Sequence, residues 1–300
     1  MIAAGRFINP DVSDLFLTTR ASGWAMNAPL RVLVVICTSP LERYHTELSL
    51  TVARLCAAPD VDVDVFINVY SGTLAWKAPC VVQNVTERTH KGWVWKKWLT
   101  PSYVRQYDYL WLLDSDIDAC AMSLVNTTRF MSRLELMISQ PRVRAALGAK
   151  RASDHAQLSI DSRSSHCESH CDLSVNIIEV MAPIFTRRAW TIVYEELLSR
   201  LADSVLKRHV AYIDTVWCPF LQHHLNRSVN QPVCALPSTQ TVEPITHLDG
   251  RSIERAAASG LKVQRSLKDN TWIKTIPMRE VRQTCRWSAE YHQLFQRSCE

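Results

Sequence analysis

A strand, a helix and a second strand follow one another near the start of this chain, and that order limits the folds that it can adopt. Residues 31–37 form a continuous apolar run of strand length, which is typical of a parallel strand covered on both faces. Apolar residues then recur every three or four positions from Leu41 to Leu55, as on one face of a helix. Residues 61–69 alternate valine and isoleucine with other residues, which predicts the second strand. We therefore expect an α/β fold with a mostly parallel sheet flanked by helices.

Later segments continue this alternation of strands and helices. Thr100 and Pro101 have the sequence of an N-cap followed by proline at the first helical position. Thr186 is expected to cap a long helix reaching Val205, because apolar residues recur at every fourth position. We interpret residues 1–30 as an irregular lead-in and residues 31–300 as one domain. Short strands are expected at 81–82, 109–113, 145–149 and 175–181, and further helices at 93–99 and 281–295.

The composition excludes some classes of protein. The chain has 300 residues, 47% of them hydrophobic and 21% charged, which suits a globular protein with a full-sized core. The net charge of +5 is mild and no run of lysine and arginine forms the basic stripe of a nucleic-acid binder. The seven glycines include no phosphate-binding glycine-rich loop, which argues against a P-loop or a dinucleotide site.

The compartment is indicated only indirectly. The first 30 residues contain neither an apolar stretch of membrane-spanning length nor a signal peptide. Ten cysteines and Asn-x-Ser/Thr sequons at Asn84, Asn126 and Asn226 are nevertheless typical of a lumenal glycoprotein, although Cys37 and Cys56 lie in apolar runs and have the pattern of buried free thiols. We expect the Golgi or secretory lumen, with an amino-terminal anchor missing from this sequence, and keep the cytoplasm as the alternative.

The most informative segment is 107–118, in which five consecutive apolar residues lead to Asp114, Asp116 and Asp118. Open α/β sheets bind their ligands at the carboxyl ends of the strands. Carboxylate oxygens at this spacing suit Mg²⁺ or Mn²⁺, which also bridge phosphate oxygens. The alternative is a solvated turn in which aspartate acts as turn former and helix N-cap.

Four further residues each have a functional and a structural interpretation. Lys96 and Lys97, beside three tryptophans, could contact a diphosphate or could be solvated lysines of an amphipathic helix. Glu179 stands among apolar neighbours and must pair, bind a ligand or face water, and we favour a ligand-binding role. Asp214 opens an apolar helical stretch, where it could be an N-cap or a catalytic base.

Histidine and cysteine residues cluster at 166–171. Zinc could bind four such ligands, but no second ligand pair at zinc-finger spacing accompanies them. A disulfide from Cys167 or Cys171 to a distant cysteine is the favoured alternative in a lumenal protein.

Several of these segments, in the same order, resemble a plant and algal family of uncharacterised GT-A-like glycosyltransferases. The Glu-Val-Met-Ala-Pro block is the most specific match, and Ser115 departs from the family, which usually has an acidic residue there. The matching segments are 96–101, 107–109, 114–116, Cys171, 178–187, Trp190, 213–218 and His247.

The resemblance implies a GT-A fold and transfer of a sugar from a nucleoside diphosphate sugar to a hydroxyl acceptor on a glycan, protein or small molecule. It implies that Asp116, Asp114 and His247 form a site for Mn²⁺ or Mg²⁺, so that His247 lies within ligand reach of Asp116. It further implies Asp214 as the general base of an inverting enzyme.

We assign Lys96, Lys97 and Asp118 to donor binding, and Glu179 and Trp217 to the acceptor side. Two alternatives to the transferase stay open: a non-catalytic module binding nucleotide sugar or carbohydrate, and a Mg²⁺-dependent phosphatase. Phosphatases of the haloacid-dehalogenase type have a Thr or Val two positions after the second Asp. This chain has Asp118 there, which argues against the phosphatase.

Overall fold

The structure is a computed structural model that describes residues 29–39, 45–70, 78–146, 172–208, 210, 213–228 and 231–248. Almost all of the expected lead-in, the helix expected at 281–295 and the histidine and cysteine cluster at 166–171 lie outside these residues. Within the described part of the chain, no helix is long and apolar enough to cross a membrane.

Strands and helices alternate through the first half of the described chain. Their bounds are β1 Leu30–Thr38, α1 His45–Cys56, β2 Val61–Val69, β3 Val81–Val85, α2 Lys91–Trp98, α3 Pro101–Val104, β4 Tyr109–Asp114, β5 Ile117–Asp118 and α4 Leu124–Arg133. The second half contributes β6 Ile138–Ser139, β7 Val143–Ala145, β8 Leu173–Ser174, β9 Ile184–Thr186, α5 Arg187–Val193, α6 Asp203–Leu206, α7 Asp214–His224, β10 Cys234–Leu236 and β11 Ile245–His247.

Eight of these strands form one sheet in the order β3-β2-β1-β4-β9-β6-β10-β8. β3, β2, β1 and β4 run parallel, β9 is antiparallel to both of its neighbours, β6 and β10 are parallel, and β8 is antiparallel to β10. The expected α/β class with a mostly parallel sheet is therefore confirmed. A second, three-stranded sheet has the order β5-β11-β7.

Helices cover both faces of the large sheet. Leu33, Val35 and Cys37 of β1 pack into a core cluster with residues of α2, α5 and α7. Val32, Val34 and Ile36 pack into a second cluster with residues of α1 and α4. Successive side chains of a strand point to opposite faces, so the continuous apolar run of β1 supplies both cores.

Two element predictions need correction. The long helix expected from Thr186 to Val205 is α-helical only in α5, continues as a π-helix over Tyr194–Leu198 and resumes as the separate α6. A strict spacing of four residues drifts off a 3.6-residue period, and the wider π turn keeps Leu197 buried like Val193. The strand expected at 175–181 is absent, and in this segment the Ile178 and Val180 carbonyls accept hydrogen bonds from the side chains of Trp217 and Lys91.

Other local predictions hold. Thr100 is the N-cap of α3, where its hydroxyl accepts a hydrogen bond from the Tyr103 amide and Pro101 is the first helical residue. A strand is present at 81–82, as part of β3. The strand expected at 145–149 is found earlier, as β7, and residues 147–149 lie outside the described part.

Disulfides cross-link the chain at two places within the described residues. Cys56 is bonded to Cys80, so the expectation of a free thiol at Cys56 is wrong, whereas Cys37 is free and buried as expected. Cys218 of α7 is bonded to Cys234 of β10, which ties a helix on one face to the sheet.

Replacing Cys218 and Cys234 together by alanine is expected to lower the free energy of unfolding by about 3 kcal/mol, because a closed loop of about 15 residues is opened in the unfolded chain. Urea unfolding followed by tryptophan fluorescence measures the change. Cys37→Ala truncates a free buried cysteine. Its loss of unfolding free energy measures the packing contribution of a cysteine side chain, which is subtracted from the loss in the double variant. A reducing agent should lower the midpoint of the wild type more than that of the double variant, and equal effects on both would contradict this cross-link.

Candidate active site

The candidate site lies where β4 ends. Asp114 is the last residue of β4, and the parallel register places it beside Cys37 near the end of β1. The chain then turns through residues 115–116 into β5. The carboxyl ends of parallel strands meet at one edge of the sheet, so Asp114 and Asp116 lie at the edge where α/β proteins bind ligands.

Lys91 holds the first of these aspartates. Its ammonium lies 2.5 and 2.6 Å from the two carboxylate oxygens of Asp114 and donates a third hydrogen bond of 3.0 Å to the Val180 carbonyl. An ammonium group has three donors, so this set uses all of them. The Lys91 side chain is 11% exposed and that of Asp114 is 28% exposed, which makes this a largely buried ion pair.

Burial raises the pKa values of several ionisable groups at this edge of the sheet. Burial raises the pKa of the Asp114 carboxyl, and the Lys91 ammonium opposes that rise. Burial likewise raises the pKa of the Cys37 thiol to about 12 and raises that of Tyr70 well above its usual value. Cys37 is therefore a neutral packing residue at this edge and not a nucleophile, since the thiolate is the reactive form.

His247 reaches the second aspartate, as expected from the resemblance. Its Nε2 atom lies 3.2 Å from Oδ2 of Asp116, although 131 residues separate the two in sequence. The approach is fixed by backbone pairing: β11 is antiparallel to β5 with His247 opposite Ile117, and the Leu248 amide donates to the Asp116 carbonyl at 2.8 Å. His247 is the last residue of β11 and is 2% exposed, so it does not lie in an exposed loop.

The third aspartate has a turn-forming contact. Oδ1 of Asp118 accepts a hydrogen bond of 2.9 Å from the Cys120 amide, two residues further on. This is the geometry by which aspartate closes a turn. The structural alternative considered for the whole acidic cluster therefore applies at Asp118, and its role in donor binding stays a prediction.

The two lysines singled out from the sequence bond to other acids. Lys96 lies 2.9 Å from Asp203 and also donates to the Leu201 carbonyl, whereas Lys97 is ion-paired with Glu87. The lysine that contacts the acidic cluster is Lys91, which sequence analysis missed. One signal could have found it: Lys91 is the first residue of α2, where the helix dipole disfavours a positive charge unless an acid is near.

The remaining candidates lie on α7 and on the segment before β9. Trp217 is buried in the core, donates its indole hydrogen to the Ile178 carbonyl at 2.9 Å and packs edge-on against Phe185. Its ring therefore has no surface to offer an acceptor, which corrects the expected acceptor-side role. Glu179 is buried directly beside Val180, the residue whose carbonyl holds Lys91.

Asp214 is buried and is the first residue of α7, and the N-cap of this helix is Ile213. The alternative interpretation of Asp214 as the N-cap is therefore wrong by one position. Its Oδ1 accepts a hydrogen bond of 3.0 Å from the Thr215 amide, as suits a carboxylate in the first turn of a helix.

The fit of this site to a divalent metal depends on Asp116 and His247. Both oxygens of Asp114 are engaged by Lys91, and among the described residues no group of three or more His, Cys, Asp and Glu side chains is arranged to hold a metal. Mg²⁺ and similar ions are often bound by one or two protein ligands together with substrate phosphates and water. Asp116 and His247 fit that kind of site and do not fit an all-protein cage.

Comparison with known proteins gives a family similarity and a set of similar structures. Residues 62–204 match a family described as "Protein of unknown function (DUF707)". The chain is similar to this family. The matched segment is slightly less than half of the chain and contains Lys91, Asp114, Asp116 and Glu179, but neither Asp214 nor His247. No curated protein matches the sequence.

The similar structures include TarS of S. aureus, at 13% identity and a TM-score of 0.42, with 72% of this chain and 36% of that chain covered. TarS 1-349 in complex with UDP matches at 13% identity and 0.42, and its complex with UDP-GlcNAc at 12% and 0.40. Those two matches cover 72% of this chain and 60% and 58% of theirs. This chain spans less than two thirds of each, so its own side chains are the basis for the function proposed below.

Lys91→Met is expected to lower the free energy of unfolding by about 2–4 kcal/mol, somewhat below the usual loss for a fully buried pair, because Asp114 keeps an uncompensated charge with partial access to water. The double variant Lys91→Met/Asp114→Asn should lose less than the sum of the two single variants, since the neutral amide needs no counter-ion. Urea unfolding of the four proteins measures the coupling. Lys97→Met, which breaks a more exposed pair, is the matched control; additive losses at 91 and 114 would contradict the ion pair.

Proposed function

We propose that this chain is a metal-dependent glycosyltransferase of the GT-A type, which moves a sugar from a nucleoside diphosphate sugar to a hydroxyl acceptor. The observation that carries the proposal is the approach of His247 to Asp116 beside the Lys91–Asp114 pair, at the carboxyl edge of a mostly parallel sheet. The site unites residues from three separate parts of the sequence.

The charges at this edge explain why a diphosphate donor would need a cation. Lys91 and Asp114 neutralise each other, which leaves the carboxylate of Asp116 and a histidine that is neutral when it acts as a metal ligand. These four side chains together carry a net negative charge, and a diphosphate placed among them would be repelled. A divalent cation held by Asp116 and His247 would reverse that sign and offset the negative charge that develops on the leaving diphosphate.

The chain's own residues would divide the remaining work. Asp116 and His247 hold the cation, and Asp114, fixed by Lys91, is positioned for a polar contact with the ribose of the donor. Lys96 and Lys97 stay candidates for donor contact, for which each would have to leave its present acidic partner. Asp214 takes the proton from the acceptor hydroxyl if the enzyme inverts configuration, and Glu179 lies on the acceptor side.

Asp116→Asn and His247→Gln are each expected to weaken Mn²⁺ binding by at least about 10-fold, because loss of a direct ligand should cost no less than loss of a supporting one. Isothermal titration with Mn²⁺, alone and with nucleoside diphosphates of different base, measures this. Matched controls remove the same groups elsewhere: Asp62→Asn at the start of β2, where the acid pairs with Arg31, and His223→Gln on the exposed end of α7. Unchanged Mn²⁺ affinity in both site variants would exclude this metal site.

Asp214→Asn is expected to leave donor affinity unchanged and to lower turnover by roughly 10² to 10⁴, the usual contribution of a positioned base. Turnover is measured as Mn²⁺-dependent release of nucleoside diphosphate from a nucleotide sugar, with water or a supplied sugar as acceptor. Glu196→Gln, which breaks a surface ion pair with Arg200, is the control.

The same assay separates the alternatives. A module that only binds nucleotide sugar would release no nucleoside diphosphate. A phosphatase would release inorganic phosphate instead. Full turnover in Asp214→Asn would leave Asp214 with only its place in the first turn of α7.

A further inference from the structure

We propose that Asn84 and Asn226 accept N-linked glycans in a secretory lumen and that Asn126 does not. The sequence contains three Asn-x-Ser/Thr sequons, which are equal as motifs. The structure makes them unequal, because each lies in a different kind of backbone. The proposal is independent of the glycosyltransferase activity proposed above.

Asn226 has the conformation of a surface turn. It follows the end of α7 with a φ of 50°, in the left-handed region that asparagine adopts more readily than most residues. Its side chain and that of Ser228, the hydroxyl residue of the sequon, are both exposed. A glycan here would extend into solvent without displacing a packed side chain, as glycosylation of a surface loop requires.

Asn84 lies on β3, the outermost strand at one end of the described large sheet. Asn84 and Thr86 are both exposed, and Thr86 lies just beyond the strand, where the backbone is no longer in a ladder. Val82, on the same side of the strand as Asn84, is 47% exposed. An outer strand with apolar exposure is a template for pairing with another chain, and a glycan at Asn84 would shield it.

The third sequon is part of a helix. Asn126 is exposed, but Thr128 is buried, at 3% exposure, and its hydroxyl donates to the carbonyls of Leu124 and Val125 at 2.9 and 3.1 Å. The backbone amide of Asn126 donates a hydrogen bond to the hydroxyl of Ser123, which caps α4. The hydroxyl that completes the sequon is therefore buried and engaged inside the helix.

The disulfides support the compartment in which such glycans are added. Cys80 precedes Asn84 by four residues, and Asn226 lies inside the loop that Cys218 and Cys234 close. Disulfides form and persist mainly in oxidising compartments, which include the secretory pathway. Cross-links and exposed sequons thus occur in the same two regions of the chain.

The test is expression of the full 300-residue chain behind a cleavable secretory signal in eukaryotic cells, with the mass measured before and after peptide-N-glycosidase treatment. The wild type is expected to carry two glycans. Asn84→Gln and Asn226→Gln should each lose one, Asn126→Gln should lose none, and the double variant at 84 and 226 should carry no glycan.

Thr86→Ala and Ser228→Ala are second variants that leave each asparagine in place. Both hydroxyls are on exposed side chains, so these variants keep the test decisive if an asparagine variant fails to fold. Each should remove the same single glycan as its partner variant. Three glycans on the wild type, no glycan, or loss of one in Asn126→Gln would overturn the proposal.

Discussion

Burial of β1 on both faces is the constraint on which the rest of the structure depends. β1 pairs in parallel with β2 on one side and β4 on the other, and its central residues are essentially inaccessible to solvent. A strand in this position must be apolar throughout and must be followed by crossover helices on the two faces. The carboxyl ends of three neighbouring strands are thereby brought together, and Asp114 ends the last of them.

Asp114 and Asp116, at the acidic edge of the sheet, each meet a different partner. Asp114 belongs to the strand, and its partners come from α2 and from the segment before β9. Asp116 lies in the turn, and its partner comes from the small sheet through β11. Two carboxylates only two residues apart would repel each other if both were left without compensation. Lys91 satisfies one, while the other stays next to a histidine whose charge depends on what binds there.

The sequence was sufficient for features that depend on local periodicity. The strands β1, β2 and β4, the cap at Thr100 and the acidic end of β4 follow from apolar patterns and capping chemistry that one segment contains by itself. The approach of His247 to Asp116 was expected only through the family resemblance, because no local pattern predicts a pairing over 131 residues.

Lys91 was missed for a related reason. Lys96 and Lys97 lie among three tryptophans and were chosen for that reason. Lys91 is instead the first residue of α2, and its side chain contacts Asp114. Trp217 was misassigned because an aromatic residue beside a possible catalytic aspartate fits a core position equally well.

The segment 178–183 connects α7 and α2 to the acidic end of β4. Its Ile178 carbonyl accepts from Trp217 of α7, its Val180 carbonyl accepts from Lys91, and its Met181 carbonyl accepts from the backbone amide of Asp114. Asp214 is on the same helix as Trp217, three residues earlier. The helix that carries Asp214 is therefore connected to the end of β4 through hydrogen bonds that backbone carbonyls of one short segment accept. A base and a donor site must be held at a fixed separation for transfer, and this connection supplies that separation for the roles proposed for Asp214 and Asp116.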